Sequence, residues 1–414
     1  MGALALWTPL ALILLALGAC ARASPSPDSA LDRPACLEGA DQDGDGLVLV
    51  GYVPGATASE PFDLEAFLSQ ERGLDEGCLV VTVRREDERG CVERPVLGYC
   101  PSPGLDRNIG NAVVYLATFE RPANVHRGDS PFAPAQINPD LCSYQTACLG
   151  RATAEPVVSA QGEVLGTCEE GPAFADLFCH HDVTAALLDE RGHEDARVVG
   201  DRVQIRTSCA GASWHDGDPL GLAPLPLTET RTLTVTASAD RTLVDLHAEV
   251  VLDTDCALWL GNNRRPLGPV ELTGPGYADA CFADASHAEA VPVPVEGPDG
   301  VFWLGDEHFP LAPPMAARLH DGADGAADVA LCLVSASCEL DGTESDCAFT
   351  GYAYAEPGAH PGRAGLSLPL APYDAWPTWP AGVHRWVLEA RLAAGSPSAS
   401  WQDLCGRALA DCGW

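Results

Sequence analysis

Lysine is absent from this sequence, so all 24 basic residues are arginine, and they stand against 59 aspartates and glutamates. The formal net charge at neutral pH is −35. Proteins hold the phosphates of nucleic acids and anionic lipids with clustered cations, which this composition supplies only sparsely. The charge balance therefore excludes a nucleic-acid-binding function and suits calcium-rich or cationic surroundings.

Motifs for enzymatic and metal chemistry are also missing. The sequence has no C-x-x-C pair, which argues against zinc ribbons, thioredoxin-type redox sites and c-type haem. It has neither H-E-x-x-H nor G-x-S-x-G. His180 and His181 lie beside a carboxylate, but adjacent residues of a strand point to opposite faces. A surface loop is therefore the favoured interpretation of that pair.

The N-terminal apolar run Leu10–Ala19 is about half as long as a membrane-spanning helix and has the length of a signal-peptide core. It ends in Leu17-Gly18-Ala19-Cys20, which resembles the lipobox of bacterial lipoproteins. The resemblance implies that residues 1–19 are a removed signal peptide and that Cys20 carries a diacylglycerol. Because residue 21 is alanine rather than aspartate, it also implies an outer-membrane lipoprotein, facing the periplasm or the cell surface.

Two alternatives to the lipid anchor remain open: a secretory signal cut after Ala21-Arg22-Ala23, and a retained helix. Residues 20–35 are rich in serine, proline and alanine and have no apolar period. They are predicted to be a lipidated, disordered tether between the membrane and the folded body.

The chain contains 17 cysteines, and setting Cys20 aside leaves 16, an even number that could close as eight disulfides after export. Sequence alone leaves the connectivity open. The close pairs that are natural local candidates are Cys91/Cys100, Cys142/Cys148, Cys332/Cys338 and Cys405/Cys412.

Short β-branched segments, bounded by glycine, proline, aspartate or asparagine, dominate the rest of the chain. They predict a mainly β fold of two antiparallel, jelly-roll-like β-sandwich domains with short helices and many disulfides. The Pro/Gly-rich stretch 215–227 marks the domain boundary. The predicted parts are a calcium-loop segment plus sandwich over 36–220, a second sandwich over 228–355 and a C-terminal extension over 356–414.

Two short helices are predicted. One lies around Asp63–Gln70. The other begins at Ser400, an N-cap with Asp403 three residues later, and runs through Asp411. It would carry Cys405 and Cys412 on one face and so pin the terminus to the body.

Two segments resemble known β-sandwich families. Between 110 and 210, the order "NAVVYLATF", "VVSAQGEVLG", "FADLFCHHDVTAALLDE", "DRVQIRT" is similar to the galactose-binding-like jelly roll. Between 231 and 338, Cys281-Phe282-Ala283-Asp284-Ala285 resembles the "cFdDxA" segment of the P domain that accompanies proprotein-convertase-type proteases. P domains are themselves jelly rolls, so both resemblances imply the same sandwich architecture.

The segment "DQDGDGLVLV" (41–50) is similar to the first part of an EF-type calcium loop. Loop positions 1, 3, 5, 6 and 8 are filled by Asp41, Asp43, Asp45, Gly46 and Val48. Tyr52 stands at position 12, where a bidentate glutamate is usual, so a further ligand must come from elsewhere. Nearby in sequence are Glu38, Asp63 and Glu65. The loop predicts a structural calcium held by Asp41, Asp43 and Asp45, with a solvated acidic turn as the alternative.

Three functions are compatible with these features. The favoured one is a non-catalytic, lipid-anchored, disulfide-stapled envelope or cell-surface β-sandwich protein that binds carbohydrate, peptide or another envelope protein. The first alternative is an envelope hydrolase of peptide or glycan with a dispersed site. The second is an extracytoplasmic metal-handling protein.

Overall fold

Most described residues of the chain lie in β-strands. The structure is a computed structural model that describes residues 36–37, 39–53, 79–88, 90–100, 112–122, 137–139, 143–149, 156–158, 164–167, 175–178, 184–214, 225–254, 258–259, 270–272, 279–284, 291–293, 302–304, 315–320, 325–345, 352–356, 363–367, 378–379 and 382–412. Several sequence predictions lie outside these residues: the signal peptide, Cys20 and the tether, the helix around 63–70, and the pair His180 and His181.

The strands are numbered along the chain. The first thirteen are β1 (Leu47–Tyr52), β2 (Leu79–Asp87), β3 (Gly90–Cys100), β4 (Ala112–Leu116), β5 (Ile137–Pro139), β6 (Ser143–Leu149), β7 (Pro156–Val158), β8 (Val164–Thr167), β9 (Ala175–Phe178), β10 (Thr184–Leu188), β11 (Arg197–Gly200), β12 (Arg202–Trp214) and β13 (Leu225–Ala237). The next thirteen are β14 (Thr242–Thr254), β15 (Leu258–Trp259), β16 (Val270–Leu272), β17 (Asp279–Asp284), β18 (Val291–Val293), β19 (Phe302–Leu304), β20 (Met315–His320), β21 (Asp328–Leu340), β22 (Thr343–Ser345), β23 (Tyr352–Glu356), β24 (Arg363–Ser367), β25 (Thr378–Trp379) and β26 (Gly382–Gly395).

Alternation of residue types explains why these segments form half-buried strands. In β13, Arg231, Leu233 and Val235 are buried, and the threonines between them are partly exposed. Side chains of a strand point alternately to its two faces, and β-branched residues fit the pleated surface well. One face of β13 therefore packs in the core, and the face that carries the threonines points to solvent.

The strands build two large antiparallel sheets. The first has seven strands in the order β11-β1-β2-β3-β4-β5-β16. The second has fourteen, with the path β18-β17-β20-β21-β26-β14-β13-β12-β9-β6-β15-β25, while β10 pairs with β12 and β22 with β21. A three-stranded sheet (β19-β23-β24) and a two-stranded sheet (β7-β8) complete the described strands.

The two large sheets pack on each other where β1 crosses β12. A Cβ placed on Gly51 would lie 3.0 Å from Val203 Cγ1 and 3.1 Å from Leu187 Cδ2. Nearby, Tyr99 Oη on β3 donates to Thr207 Oγ1 on β12 at 3.5 Å. The predicted mainly β, sandwich-type fold is confirmed, in the form of an open sandwich.

Strands on both sides of the predicted boundary at 215–227 belong to the long sheet. Strand β12 ends at Trp214 and β13 begins at Leu225, and the two pair from Arg202↔Thr236 to Ala212↔Leu225. Strand β26, from the predicted C-terminal extension, lies between β14 and β21. The domain assignments 36–220, 228–355 and 356–414 stay predictions, and one sheet joins strands from all three.

The helix predicted near the C-terminus is present as α1 (Trp401–Cys405). The Ser400 side chain accepts from the Asp403 N–H and Asp403 accepts from the Ser400 N–H, which confirms the predicted capping box. The predicted extension to Asp411 is wrong, because Gly406 takes the left-handed conformation (φ 67°) and ends the helix. Among the described residues, no helix has both the length and the apolar character needed to cross a membrane.

Three disulfides join described cysteines: Cys36–Cys91, Cys281–Cys412 and Cys332–Cys405. Cys338 is disulfide-bonded as well. The predicted pinning of the terminus to the body is confirmed, since Cys405 and Cys412 both bond to strands of the long sheet.

Three of the predicted local pairs are wrong: Cys91/Cys100, Cys332/Cys338 and Cys405/Cys412. Cys332 and Cys338 lie on the single strand β21, where six residues of extended chain span about 20 Å. A disulfide needs Cα atoms within about 7 Å. Cys91 and Cys100 are likewise at opposite ends of β3. The pair Cys142/Cys148 lies partly outside the described residues.

Candidate metal centre

The acidic loop predicted to bind calcium leads directly into β1, and the sheet brings a further aspartate beside it. Strand β1 pairs with β11, with Leu49 opposite Gly200. Asp201 follows Gly200 immediately, in the turn between β11 and β12. The register of these two strands therefore places Asp201 next to the loop at 41–46.

Three carboxylates meet at this point. Asp41, Asp43 and Asp201 each offer an oxygen, and these oxygens all lie within 4.8 Å of one another. Asp41 and Asp201 are half-buried and Asp43 is exposed. Asp45, the third ligand predicted from the sequence, is not part of this group, and its Oδ1 accepts from the Leu47 N–H at 2.8 Å.

Backbone N–H groups hold the loop around its own carboxylates. Asp41 Oδ1 accepts from the Gly44 N–H at 2.8 Å, and its Oδ2 accepts from the Gly46 N–H at 3.1 Å. Gly44 and Gly46 have φ angles of +77° and +80°, a conformation that side chains disfavour. The glycines of the motif are therefore required by the shape of the turn.

Asp201 fixes the loop to the turn between β11 and β12. Its Oδ2 accepts from the Gln42 N–H at 3.2 Å and from the Asp43 N–H at 3.1 Å, across a sequence separation of about 160 residues. These contacts use part of the hydrogen-bonding capacity of the Asp201 carboxylate and leave room for a cation, because an ionised carboxylate has about four lone-pair sites.

The surroundings of Asp45 in this loop shift its pKa. Partial burial raises the pKa of Asp45 above its usual value, and the neighbouring charges of Asp43 and Asp41 raise it further, against the Leu47 N–H, which lowers it. A small cavity opens beside this carboxylate. Its lining residues are Asp43, Asp45, Leu47, Val48, Leu49, Val83, Asp201 and Ala237.

The donor set suits a hard cation. Carboxylate oxygens are preferred ligands of Ca²⁺, which takes six to eight oxygens. Three carboxylates fill only part of that shell, so backbone carbonyls and water would supply the rest.

The sequence predicted Asp41 and Asp43 and missed Asp201, because only the pairing of β1 with β11 reveals it. Glu38, Asp63 and Glu65, the other candidates, lie outside the described residues.

A second ionisable cluster, on the first sheet, has a structural role. Arg84 Nε contacts Glu93 Oε2 at 2.6 Å, and both side chains are nearly buried. Glu93 Oε1 accepts from the hydroxyls of Tyr52 and Thr82, each at 2.6 Å. These contacts tie β1, β2 and β3 together.

No family model matches this chain, and no curated protein matches it. Among solved structures, it is similar to the galactosidase domain of the alpha-galactosidase-sucrose kinase AgaSK, with 11% identity, a TM-score of 0.32 and coverage of 77% of this chain and 41% of that chain. It is also similar to the GH36 alpha-galactosidases AgaA and AgaB from Geobacillus stearothermophilus, with 13% and 12% identity and TM-scores of 0.31 and 0.29. Both matches cover 77% of this chain and 39% of the enzyme. The chain thus spans less than half of these proteins, and likeness at this level carries no functional argument.

Proposed function

We propose that the protein is an exported, non-catalytic β-sandwich protein, anchored in the outer membrane through a lipid on Cys20. The observation that carries this proposal is the long-range pairing of cysteines. The three disulfides join residues 55, 131 and 73 positions apart. Such staples form and persist in oxidising compartments outside the cytosol. The lipobox-like sequence at residues 17–20 supports the same route.

Lipid attachment is tested by expression in a Gram-negative host supplied with labelled palmitate. The parent protein is expected to carry the label and to fractionate with the outer membrane, and Cys20→Ala is expected to lose both properties. Ser24→Ala is the matched control and should behave as the parent does. An unlabelled parent released into the medium would support the secreted alternative and overturn the anchor.

The ligand we propose is polar: a carbohydrate, a peptide or another envelope protein. The outward face of β13 presents threonine hydroxyls at every second position, with Thr228 and Thr230 exposed. Beside it run cross-strand ion pairs such as Arg385–Glu249 and Arg391–Asp245, each at 2.6 Å. Polar outer faces are usual in antiparallel sheets, and rows of hydroxyls and charges can hydrogen-bond such a ligand.

A screen of glycans and envelope fractions, with and without chelator, tests ligand binding. Thr230→Val should weaken the binding of any ligand seated on the outward face of β13. Ser337→Ala, also exposed but on β21, is the control. A ligand whose binding is unchanged by Thr230→Val would contradict this placement.

We further propose that Asp41, Asp43 and Asp201 hold a structural calcium. Calorimetry on the detergent-solubilised full chain should detect calcium binding in the parent and weaker binding in Asp201→Asn, by at least tenfold. Asp253→Asn removes an exposed carboxylate of β14 and should bind as the parent does. Equal calcium affinities of the parent and Asp201→Asn, or no calcium binding at all, would contradict the calcium site. Tight zinc binding would favour a metal-handling protein.

A further inference from the structure

The C-terminal segment 396–412, here called the strap, lies on the outer face of the long sheet. Its Trp401 and Leu404 are 1% and 0% exposed and pack into one apolar cluster with residues of β17, β20, β21 and β26. The alanines of that cluster are Ala283, Ala316, Ala330 and Ala393. These four alanines, here called the alanine floor, are small enough for Trp401 to pack closely on the strands, and its side chain is 1% exposed.

A buried arginine holds the strap by its backbone. Arg318 on β20 donates through Nη1 to the Ala399 carbonyl at 2.8 Å and through Nη2 to the Pro397 carbonyl at 2.7 Å. Its charge is balanced by Asp328, which is 0% exposed and lies 2.6 Å from Nη2. These contacts dock the strap independently of any covalent link.

Two disulfides add covalent links, and they differ in exposure. In the inner disulfide, Cys332–Cys405, both cysteines are buried, and Cys405 belongs to α1. In the outer disulfide, Cys281–Cys412, Cys281 is buried but Cys412 is only half-buried, near the chain end. A thiolate must reach a sulfur to attack a disulfide, so access decides which bond opens first.

We propose that the strap is a two-stage, thiol-controlled latch, in which a dithiol reductant opens the outer disulfide while the docked strap shields the inner one. A thiolate of the reductant attacks the Cys412 sulfur, a mixed disulfide forms and Cys281 leaves as a thiolate. The second thiol of the reductant then displaces Cys412 and closes a cyclic disulfide. Two electrons pass to the protein, and two cysteine thiols result after protonation.

The latch gives the protein three states: both disulfides closed, only the outer disulfide open, and both disulfides open. With the outer disulfide open, the strap stays docked through Arg318, α1 and the inner disulfide. The inner disulfide becomes reducible only when α1 lifts from the alanine floor. Once both are reduced, a lifted strap exposes Trp401, Leu404 and the floor as an apolar surface. The latch requires neither the lipid anchor nor a bound ligand.

The test treats the oxidised full chain with dithiothreitol for increasing times, blocks free thiols with an alkylating reagent and identifies the modified peptides by mass spectrometry. Cys281 and Cys412 are expected to be modified at least tenfold faster than Cys332 and Cys405. Ser400→Ala removes the N-cap of α1 and should speed reduction of the inner disulfide about fivefold, which corresponds to the roughly 1 kcal/mol of an N-cap. The rate of the outer disulfide should not change.

The control variant is Ser337→Ala, which alters an exposed serine of β21 outside the strap and should leave both rates unchanged. Asp403→Ala removes the acceptor of the Ser400 N–H, the other half of the capping box, and should act as Ser400→Ala does. Reduction of both disulfides at one rate, or of the inner one first, would overturn the latch. Inner-disulfide rates that both cap variants leave unchanged would overturn it too.

Discussion

At the scale of single residues, removal of the Glu93 side chain should destabilise the first sheet strongly. It accepts from Arg84, Tyr52 and Thr82. Glu93→Ala would leave the nearly buried Arg84 charge without this partner, a change that typically destabilises by about 3–5 kcal/mol. Urea unfolding under non-reducing conditions measures the loss.

The control for that experiment is Glu389→Ala on β26. Glu389 pairs with His247 at 2.8 Å, but both side chains are 49% exposed. Exposed pairs contribute about 1 kcal/mol or less, because water and salt screen them. Equal losses in the two variants would contradict a structural role for the Glu93 cluster.

The lowered pKa of Asp403 leads to a prediction about how stability depends on pH. Its side-chain and backbone hydrogen bonds with Ser400, assisted by the charge of Arg241, lower its pKa from the usual value. A carboxylate with a lowered folded-state pKa stabilises the fold above its unfolded pKa of about 3.9, and this stabilisation is lost as the pH falls through the folded-state pKa. The parent should therefore melt at a higher temperature than Asp403→Asn at neutral pH.

That difference should shrink as the pH falls through the folded-state pKa of Asp403, and it should disappear once the carboxyl is protonated. Differential scanning calorimetry of the parent and Asp403→Asn across this range gives the comparison. Asp411→Asn, which changes an exposed carboxylate outside the capping box, serves as control. A difference that persists undiminished in acid would show that Asp403 acts through something other than its charge.

At the scale of elements, the sequence predicted what local contacts determine. The capping box of α1 depends on residues three apart, and the glycines of the acidic loop depend on the turn they sit in. Asp201 could not be assigned to that loop, because its place depends on the register of β11 against β1. The end of the helix was missed for a different reason. Glycine commonly ends a helix, but the seven-residue spacing of Cys405 and Cys412 favoured a helix that continued past Gly406.

The crossing of β1 over β12 yields a prediction about packing between elements. Gly51→Ala should destabilise the fold by about 1–3 kcal/mol, since the new methyl group would press on Val203 and Leu187. Val203→Ala should be destabilising by itself, because it empties part of a buried position.

The double variant decides whether the two sites touch. Gly51→Ala combined with Val203→Ala should lose less stability than the sum of the single losses, since the smaller side chain makes room for the added methyl group. Denaturant unfolding of the parent, the two single variants and the double variant measures these losses. Additive losses would show that the two sheets do not meet at Gly51.

At the scale of the whole molecule, composition predicted the fold class but not the order of the strands. The alternating segments and the many prolines and glycines indicated antiparallel sandwiches, which is the class observed. Nothing local in β26 says that it inserts between β14 and β21, where its partners run from Gly382 opposite Thr254 to Ala394 opposite Thr242. That placement reflects pairing with residues 128 to 152 positions away in β14 and 44 to 67 positions away in β21.

The same non-local packing decides the disulfides, and it gives the last prediction. Peptide mapping of oxidised protein should yield linked peptides for Cys36–Cys91, Cys281–Cys412 and Cys332–Cys405. Removing Cys281–Cys412 with paired alanines should lower the free energy of unfolding by about 2–5 kcal/mol, because the bond closes a long loop in the unfolded chain. A peptide linking Cys405 to Cys412 would refute this connectivity, since these two cysteines would then no longer bond to Cys332 of β21 and Cys281 of β17.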